Sequence, residues 1–299
     1  MTPETATAIA ADISAAIATP FTLHTQCPVS GGNINTAHVI ADRSGAQYFV
    51  KLNTAARITM FEAEAAGLRE LAQANVIRVP QPICCGAVEN SAYLAMEYIE
   101  LAGSNGSTQH QAHLGQQLAQ LHHITAPLYG WRVNNTIGST PQINTLCNDW
   151  PGFWREHRLG LQLSLAARNG YTGALQRKGE QLLAGMPAFF TTHTPTPSLL
   201  HGDLWPGNYG VDTRDNPVIF DPAVYYGDRE TDLAMTELFG GFSEQFYHAY
   251  REVYPLDADF KTRKTLYNLY HILNHLNLFG GRYLRQAEHM LDNLLSEIR

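Results

Sequence analysis

Cysteine is scarce in this chain, and none of it is spaced for a metal. Among 299 residues there are four: Cys27, Cys84, Cys85 and Cys147. No Cys-x-x-Cys pair occurs, so zinc is not expected. The adjacent pair Cys84-Cys85 is poorly placed for a structural disulfide, which leaves free thiols in a reducing cytoplasm as the expectation. Lys and Arg are missing from Met1 to Pro20, an Ala-rich stretch that therefore does not read as a signal peptide. No apolar run reaches the ~20 residues of a membrane span, so no membrane partner is expected. There is no Lys/Arg stripe and the formal net charge is −7, which leaves nucleic-acid binding without electrostatic support. Internal repeats and low-complexity tracts are also lacking. What remains is an ordinary soluble composition, 44% hydrophobic, long enough for one large domain or two lobes.

The stretch most informative about chemistry is Leu199-Leu200-His201-Gly202-Asp203-Leu204-Trp205-Pro206-Gly207-Asn208. It follows a Pro-rich lead-in and precedes a short apolar run ending in an acid, Pro217-Val218-Ile219-Phe220-Asp221. The spacing His-x-Asp-x-x-x-x-Asn is that of a kinase catalytic loop, with Gly202 where protein kinases carry Arg. Asp203 can receive the proton of an attacking hydroxyl, while Asn208 and Asp221 can hold Mg2+ on nucleotide phosphates. A lone Asp in such a turn is usually only a turn former. The combination of His201, Asp203, Asn208 and Asp221 is far more specific.

The first third supplies candidate phosphate contacts. A helix is expected over Pro3–Ala18, with Ile9, Ile13 and Ile17 on the face that packs on the following sheet. Gly31-Gly32 precedes an alternating run. It reads either as a hairpin lip able to approach phosphates or as a plain turn between strands. In the strand Gln47–Leu52, Lys51 shares a face with Phe49, opposite Val50 and Leu52. It is either an edge-strand gatekeeper or one half of an ion pair. In the helix Thr59–Ala74, Glu64 lies beside the apolar stripe of Phe61, Ala65, Leu68 and Leu71, while Glu62 and Glu70 fall further round. A strand Lys and an inward helix Glu form the pair kinases use to hold phosphates, so Lys51 is paired with Glu64, with Glu62 as the alternative.

A second hairpin, Ile83–Val88 and Ser91–Ile99, leads into the polar stretch Leu101–Ser107, which reads as a boundary. This places an N-terminal nucleotide-binding lobe at 1–98 and a catalytic, substrate-binding lobe at 99–299. Thr108 is expected to cap a helix to His123, whose histidines read as surface or capping groups. Trp131–Trp150 reads as a long polar loop of the sort that is often functional. Helices are expected at Phe153–Ala167, Thr172–Phe189, Ser243–Tyr254, Phe260–Phe279 and Tyr283–Ile298. Tyr225–Ala234 is expected to open another helix, capped by Asp228. Its Asp232 either accepts catalytic-loop N–H groups or sits solvated in the first turn.

Taken together, these motifs resemble a two-lobed, protein-kinase-like small-molecule kinase. The fold class is then α+β: a small antiparallel-sheet lobe with a helix, and a larger, mostly helical lobe. Phe61–Ala65, Ser198–Asn208, Pro217–Ala234 with Glu237–Phe242, and Tyr267–Gly281 resemble the bacterial fructosamine kinase (ketosamine-3-kinase) family in particular. Trp205 and Phe220-Asp221-Pro222-Ala223 favour it over aminoglycoside or choline kinases. The resemblance implies ATP- and Mg2+-dependent phosphorylation of the 3-hydroxyl of small-molecule or protein-linked ketosamines, a deglycation activity. It implies Asp203 as base, Asn208 and Asp221 as metal ligands, and Lys51 and Glu64 as phosphate anchors. Gly31 and Gly32 would lie at the phosphates, the backbone of Met96, Glu97 and Tyr98 would read adenine, and Trp205 would wall the sugar. Where some relatives carry a loop cysteine this chain has Asn33, so a disulfide switch there is not expected. The alternatives are a kinase of another small hydroxyl compound, such as an aminoglycoside or choline-like amine, and a nucleotide-binding scaffold without turnover.

Overall fold

The computed structural model describes residues 1–30, 34–103 and 106–298. Gly31 and Gly32 lie outside the described residues. The chain forms two compact units, Met1–Asn105 with Gly210–Asp221, and Gly106–Tyr209 with Pro222–Arg299. The division expected at 98/99 thus falls later along the chain, and residues 210–221 join the first unit rather than the second.

The first unit begins with helix α1 (Pro3–Ile17), its N-terminus capped by Thr2. A five-stranded antiparallel sheet follows, made from β1 (Thr25–Val29), β2 (Thr36–Ala41), β3 (Gln47–Thr54), β4 (Pro82–Val88) and β5 (Ser91–Glu97). Their spatial order is β1-β2-β3-β5-β4. Strand alternation sorts the two faces. Val50 and Leu52 of β3, with Tyr93 and Ala95 of β5, pack into one cluster with Ile9 and Ile13 of α1. Lys51 therefore points to the opposite face, where α2 (Ile58–Ala74) buries Phe61, Ala65, Leu68 and Leu71. A hairpin, Tyr209–Val211 against Pro217–Ile219, completes this unit, to which it belongs from Gly210 onward. It is joined through Ala102 N–H to Val211 C=O at 2.8 Å and Ile219 N–H to Arg78 C=O at 3.0 Å.

The second unit is mostly helical. Helix α3 (Thr108–His122) is capped by Ser107, not Thr108, because the Ser107 hydroxyl meets the His110 N–H while the His110 ring returns to the Ser107 N–H. A short α4 (Trp150–Trp154) runs through one π-type turn, Arg155–Leu159, into α5 (Gly160–Arg168). Then come α6 (Ala174–Gly185), α7 (Glu230–Leu238), α8 (Glu244–Val253), α9 (Phe260–Phe279) and α10 (Leu284–Glu297). Trp150, Trp154, Tyr267 and Tyr270 form an aromatic core.

Two segments of this unit take another secondary structure than expected. Tyr225–Gly227 does not open a helix; it is a strand paired with Ser198–Leu200, and α7 starts only at Glu230. The expected polar loop 131–150 contains a hairpin, Asn135–Ile137 against Thr140–Gln142, with Asn135, Gln142 and Asn144 buried. Its polar side chains bond one another and the main chain rather than water. Among the described residues, no helix is long and apolar enough to cross a membrane.

Candidate active site

In the first unit, the Lys51 ammonium lies 2.5 Å from Glu64 Oε1 and 2.5 Å from Asp221 Oδ1. Lys51 is almost wholly buried and Asp221 is half exposed. Glu64, not Glu62, faces inward, and Glu62 is exposed. Burial opposes the charge on Lys51, but Asp221 and then Glu64 overcome it and raise its pKa, so the ammonium stays charged. Burial raises the pKa of Glu64, which Lys51 pulls down and Asp221 pushes further up. One cation is thus shared by two carboxylates, and the buried one bears the desolvation cost. Asp221 also adopts φ +59°, a left-handed conformation uncommon for any residue but Gly. Sequence reasoning named both carboxylates but missed that they meet at one ammonium; 170 residues separate Lys51 from Asp221.

Farther along this unit, Met96 is buried and Glu97 ends β5. The Glu97 N–H is committed to the Gln81 C=O at 2.8 Å, so it is not free to read a base. Its carboxylate takes the Arg78 guanidinium at 2.7 Å.

In the second unit, the strand Ser198–Leu200 delivers the loop His201–Asn208. Asp232 accepts both the His201 N–H at 2.7 Å and the Gly202 N–H at 2.8 Å. The solvated reading of Asp232 is excluded, since its side chain is 1% exposed. Burial alone would raise the Asp232 pKa, but His122, His201 and the Gly202 N–H lower it, so it remains a carboxylate. His122 is neither a surface nor a capping residue. It is fully buried, with Nδ1 2.8 Å from the Tyr250 hydroxyl and Nε2 3.3 Å from Asp232. Gly202 has φ +82°, and a Cβ there would overlap the Ala223 carbonyl oxygen. The Ala223 N–H in turn donates to the His201 C=O at 2.8 Å.

This frame presents Asp203, partly exposed, at the loop's turn. Asn208 donates through Nδ2 to the Asp203 main-chain oxygen at 2.9 Å and to its carboxylate at 3.3 Å. That orients the Asn208 amide and leaves its carbonyl oxygen as the free end. Trp205 stands edge-on to Phe239 at 6.1 Å, and Phe239 in turn meets the His275 ring at 4.7 Å.

Among the described residues, one further group has the chemistry of a metal centre: His193, Asp228 and Glu230. Its donors are already engaged. Asp228 accepts from His193 at 2.9 Å, from Tyr267 at 2.5 Å and from the Glu230 N–H at 3.0 Å, while Glu230 holds Arg263 at 2.7 and 3.0 Å. It is an internal ion network that fixes the start of α7.

A strand lysine bound to a helix glutamate, with a His-Gly-Asp loop that ends at Asn208, belongs to a phosphotransferase of the protein-kinase-like class. The fold agrees: an aminoglycoside phosphotransferase structure superposes with a TM-score of 0.62 at 14% identity, covering 96% of this chain and 98% of that one. The chain belongs to the fructosamine kinase family, whose pattern matches residues 5–297. A probable ketoamine kinase of Synechocystis is 46% identical over 96% of each chain. A chloroplastic protein-ribulosamine 3-kinase of Arabidopsis thaliana is 43% identical over 91% of this chain and 82% of its own. A crystal structure from Haemophilus somnus, described as a fructosamine-3-kinase, has a TM-score of 0.88 at 28% identity and covers 96% of each chain.

Proposed function

We propose that this chain transfers the terminal phosphoryl group of ATP to the 3-hydroxyl of a ketosamine, a sugar adduct on a small amine or a protein lysine. The observation that carries the reading is Asp203, held beside Asn208 in a loop whose backbone is pinned by the buried Asp232. The names of the Synechocystis and Arabidopsis relatives support a ketosamine as acceptor. The free thiols suit a reducing compartment such as the cytoplasm.

In this reading Lys51, oriented by Glu64, meets nucleotide phosphates, and the backbone of Met96 and Tyr98 reads adenine. Asp221 and the Asn208 carbonyl are each hard oxygen donors of the kind that suits Mg2+. When bound, Mg2+ neutralises charge on the phosphoryl oxygens. Trp205 offers a ring face to the sugar C–H surface. Asp203 accepts a hydrogen bond from the sugar hydroxyl and aligns its oxygen with the phosphorus. A carboxylate is a weak base beside an alcohol, so Asp203 takes the proton late, as the new P–O bond forms. Positioning and charge neutralisation then supply most of the catalysis.

The test is Mg2+-dependent ATP turnover with fructoselysine or a ribulosamine, with an aminoglycoside, and with no acceptor. Turnover should require the ketosamine; turnover only with the aminoglycoside, or none with any acceptor, overturns the reading. Asp203→Asn should lower kcat by at least about 10²–10⁴-fold while ADP binding stays near wild type.

A further inference from the structure

Arg78 lies in the connection between α2 and β4 and belongs to none of the motifs above. It grips three places within the first unit. Its main chain pairs with Val218 and accepts the Ile219 N–H at 3.0 Å, two residues before Asp221. Its Nη2 donates to Glu97 Oε1 at 2.7 Å, at the end of β5. Its Nη1 donates to Asp212 Oδ2, in the turn of the 209–219 hairpin.

Asp212 is committed in turn. Its side chain is 2% exposed. Oδ1 accepts the N–H groups of Arg214 and Asn216 at 2.8 and 2.9 Å, and the Asn216 amide also bonds it. Burial works against the charge, but these donors and Arg78 hold the Asp212 pKa down to about 2. The turn is therefore rigid around a permanent anion, and the guanidinium is what ties that anion to Glu97. A planar fork with two terminal nitrogens can hold two carboxylates at once; an ammonium is a point charge without that geometry.

We propose that Arg78 is a positioning residue for the nucleotide-bound metal: by clamping the hairpin to the end of β5, it sets where Asp221 meets Lys51. The inference rests on the reading of Asp221 as a magnesium ligand. It makes Lys51, Glu64 and Asp221 one assembly within one unit, built without a residue of the His201–Asn208 loop.

The experiment is calorimetric titration of ADP across a Mg2+ series, with full-length wild type and the variants Arg78→Met, Arg78→Lys, Asp212→Asn and Asp221→Asn. Steady-state kinetics and thermal midpoints accompany it. In Arg78→Met, the Mg2+ concentration for half-maximal ADP affinity should rise about tenfold, the lower end of what losing a direct partner of a metal ligand costs, because Arg78 acts on Asp221 through the hairpin. The KM for the ketosamine should not move. Arg78→Lys should behave like Arg78→Met, because charge without the fork does not restore the clamp. Asp212→Asn removes the other side of the ion pair, should shift Mg2+ dependence in the same direction, and carries the test if neither Arg78 variant folds. A lowered thermal midpoint with unchanged Mg2+ dependence in the folded variants overturns the inference. If Asp221→Asn itself leaves Mg2+ dependence unchanged, the magnesium reading of Asp221 fails, and the inference with it. If Asp221→Asn shifts it and the folded clamp variants do not, only the role of Arg78 is lost.

Discussion

Gly202 shows how one residue sets the His201–Asn208 loop. Its φ of +82° is left-handed, and the space a side chain would occupy is taken by the Ala223 carbonyl. A backbone atom cannot rotate away as a side chain can. Gly45 offers the matching control, with φ +93° and nothing within 4 Å of a Cβ. Gly45→Ala should cost only the conformational strain, about 1 kcal/mol. Gly202→Ala adds the overlap and should cost roughly 2–3 kcal/mol or more, with turnover largely lost. Urea unfolding of both variants, with activity assays, checks this; equal costs would mean the loop yields freely. Asp232→Asn probes the same loop from the other side. One of the two oxygens that accept His201 N–H and Gly202 N–H becomes an amide NH2 facing a donor, so a loss of about 3 kcal/mol is expected in the same assay.

At the level of elements, the 135–142 hairpin connects the interior to that loop. Gln142 Nε2 donates to the Ala223 C=O at 3.1 Å and to Asn135 Oδ1 at 2.9 Å, and its Oε1 accepts the Tyr270 hydroxyl at 2.8 Å. Asn135 donates to the Val224 C=O at 2.8 Å, and Asn144 bridges Asn135 to Arg158. Arg158 is fully buried and lies over the rings of Tyr225 at 4.2 Å and Phe153 at 4.7 Å. Gln142→Leu keeps the bulk but removes the donor to the Ala223 carbonyl and the acceptor of the Tyr270 hydroxyl, which keeps only its contact with Gln162. A stability loss of roughly 2–4 kcal/mol is expected, with kcat reduced. ADP affinity should hold, because Lys51, Glu64 and Asp221 sit in the other unit. A fall in ADP affinity with kcat intact would contradict this.

The same hairpin marks where the sequence stops being legible. Helix α9 was readable residue for residue, Phe260–Phe279, because Leu266, Leu269, Leu273 and Leu276 are buried at helical spacing. The fold of Lys51 onto Glu64 was readable for the same reason, from strand alternation and the helix stripe. Asn135, Gln142 and Asn144 carry no such signal. Periodicity treats an amide as solvent-facing, and only the tertiary structure shows its partner to be another amide or a carbonyl. Arg78 and Asp212 were invisible for a related reason: their bond spans 134 residues and forms no local pattern.

Across the whole molecule, the histidines make folding stability depend on pH in a direction that can be stated. His122, fully buried, is lowered chiefly by burial, against the pull of Asp232. His271 is lowered to about 3 by burial and then by His275, and His275 to about 4 by burial and then by Arg282. His38 and His157 are also lowered, again chiefly by burial. All five bind a proton less readily in the fold than their unfolded counterparts, which take one up below ~6.5. The unfolded chain then binds more protons, so stability is full above that pH and lost as pH falls toward the folded values. His271, fully buried and held far below its ordinary value, contributes a slope of about 1.4 kcal/mol per pH unit over this range, and His122 adds to it in the same direction. His193 has the opposite sign. Burial opposes its charge, but Asp228 and Glu230 overcome burial and raise its pKa despite Arg263. Its contribution is complete below ~6.5 and fades as pH rises through its raised value. Urea midpoints should therefore fall steeply from pH 6.5 to 5 and more gently above neutrality. His193→Gln should destabilise more at pH 6 than at pH 8.5, because only the protonated ring links Asp228 to Asp257, 3.1 Å from its Nδ1. A midpoint that is flat between pH 5 and 6.5, or a His193→Gln cost that grows with pH, would show that these side chains are not protonated as their surroundings dictate.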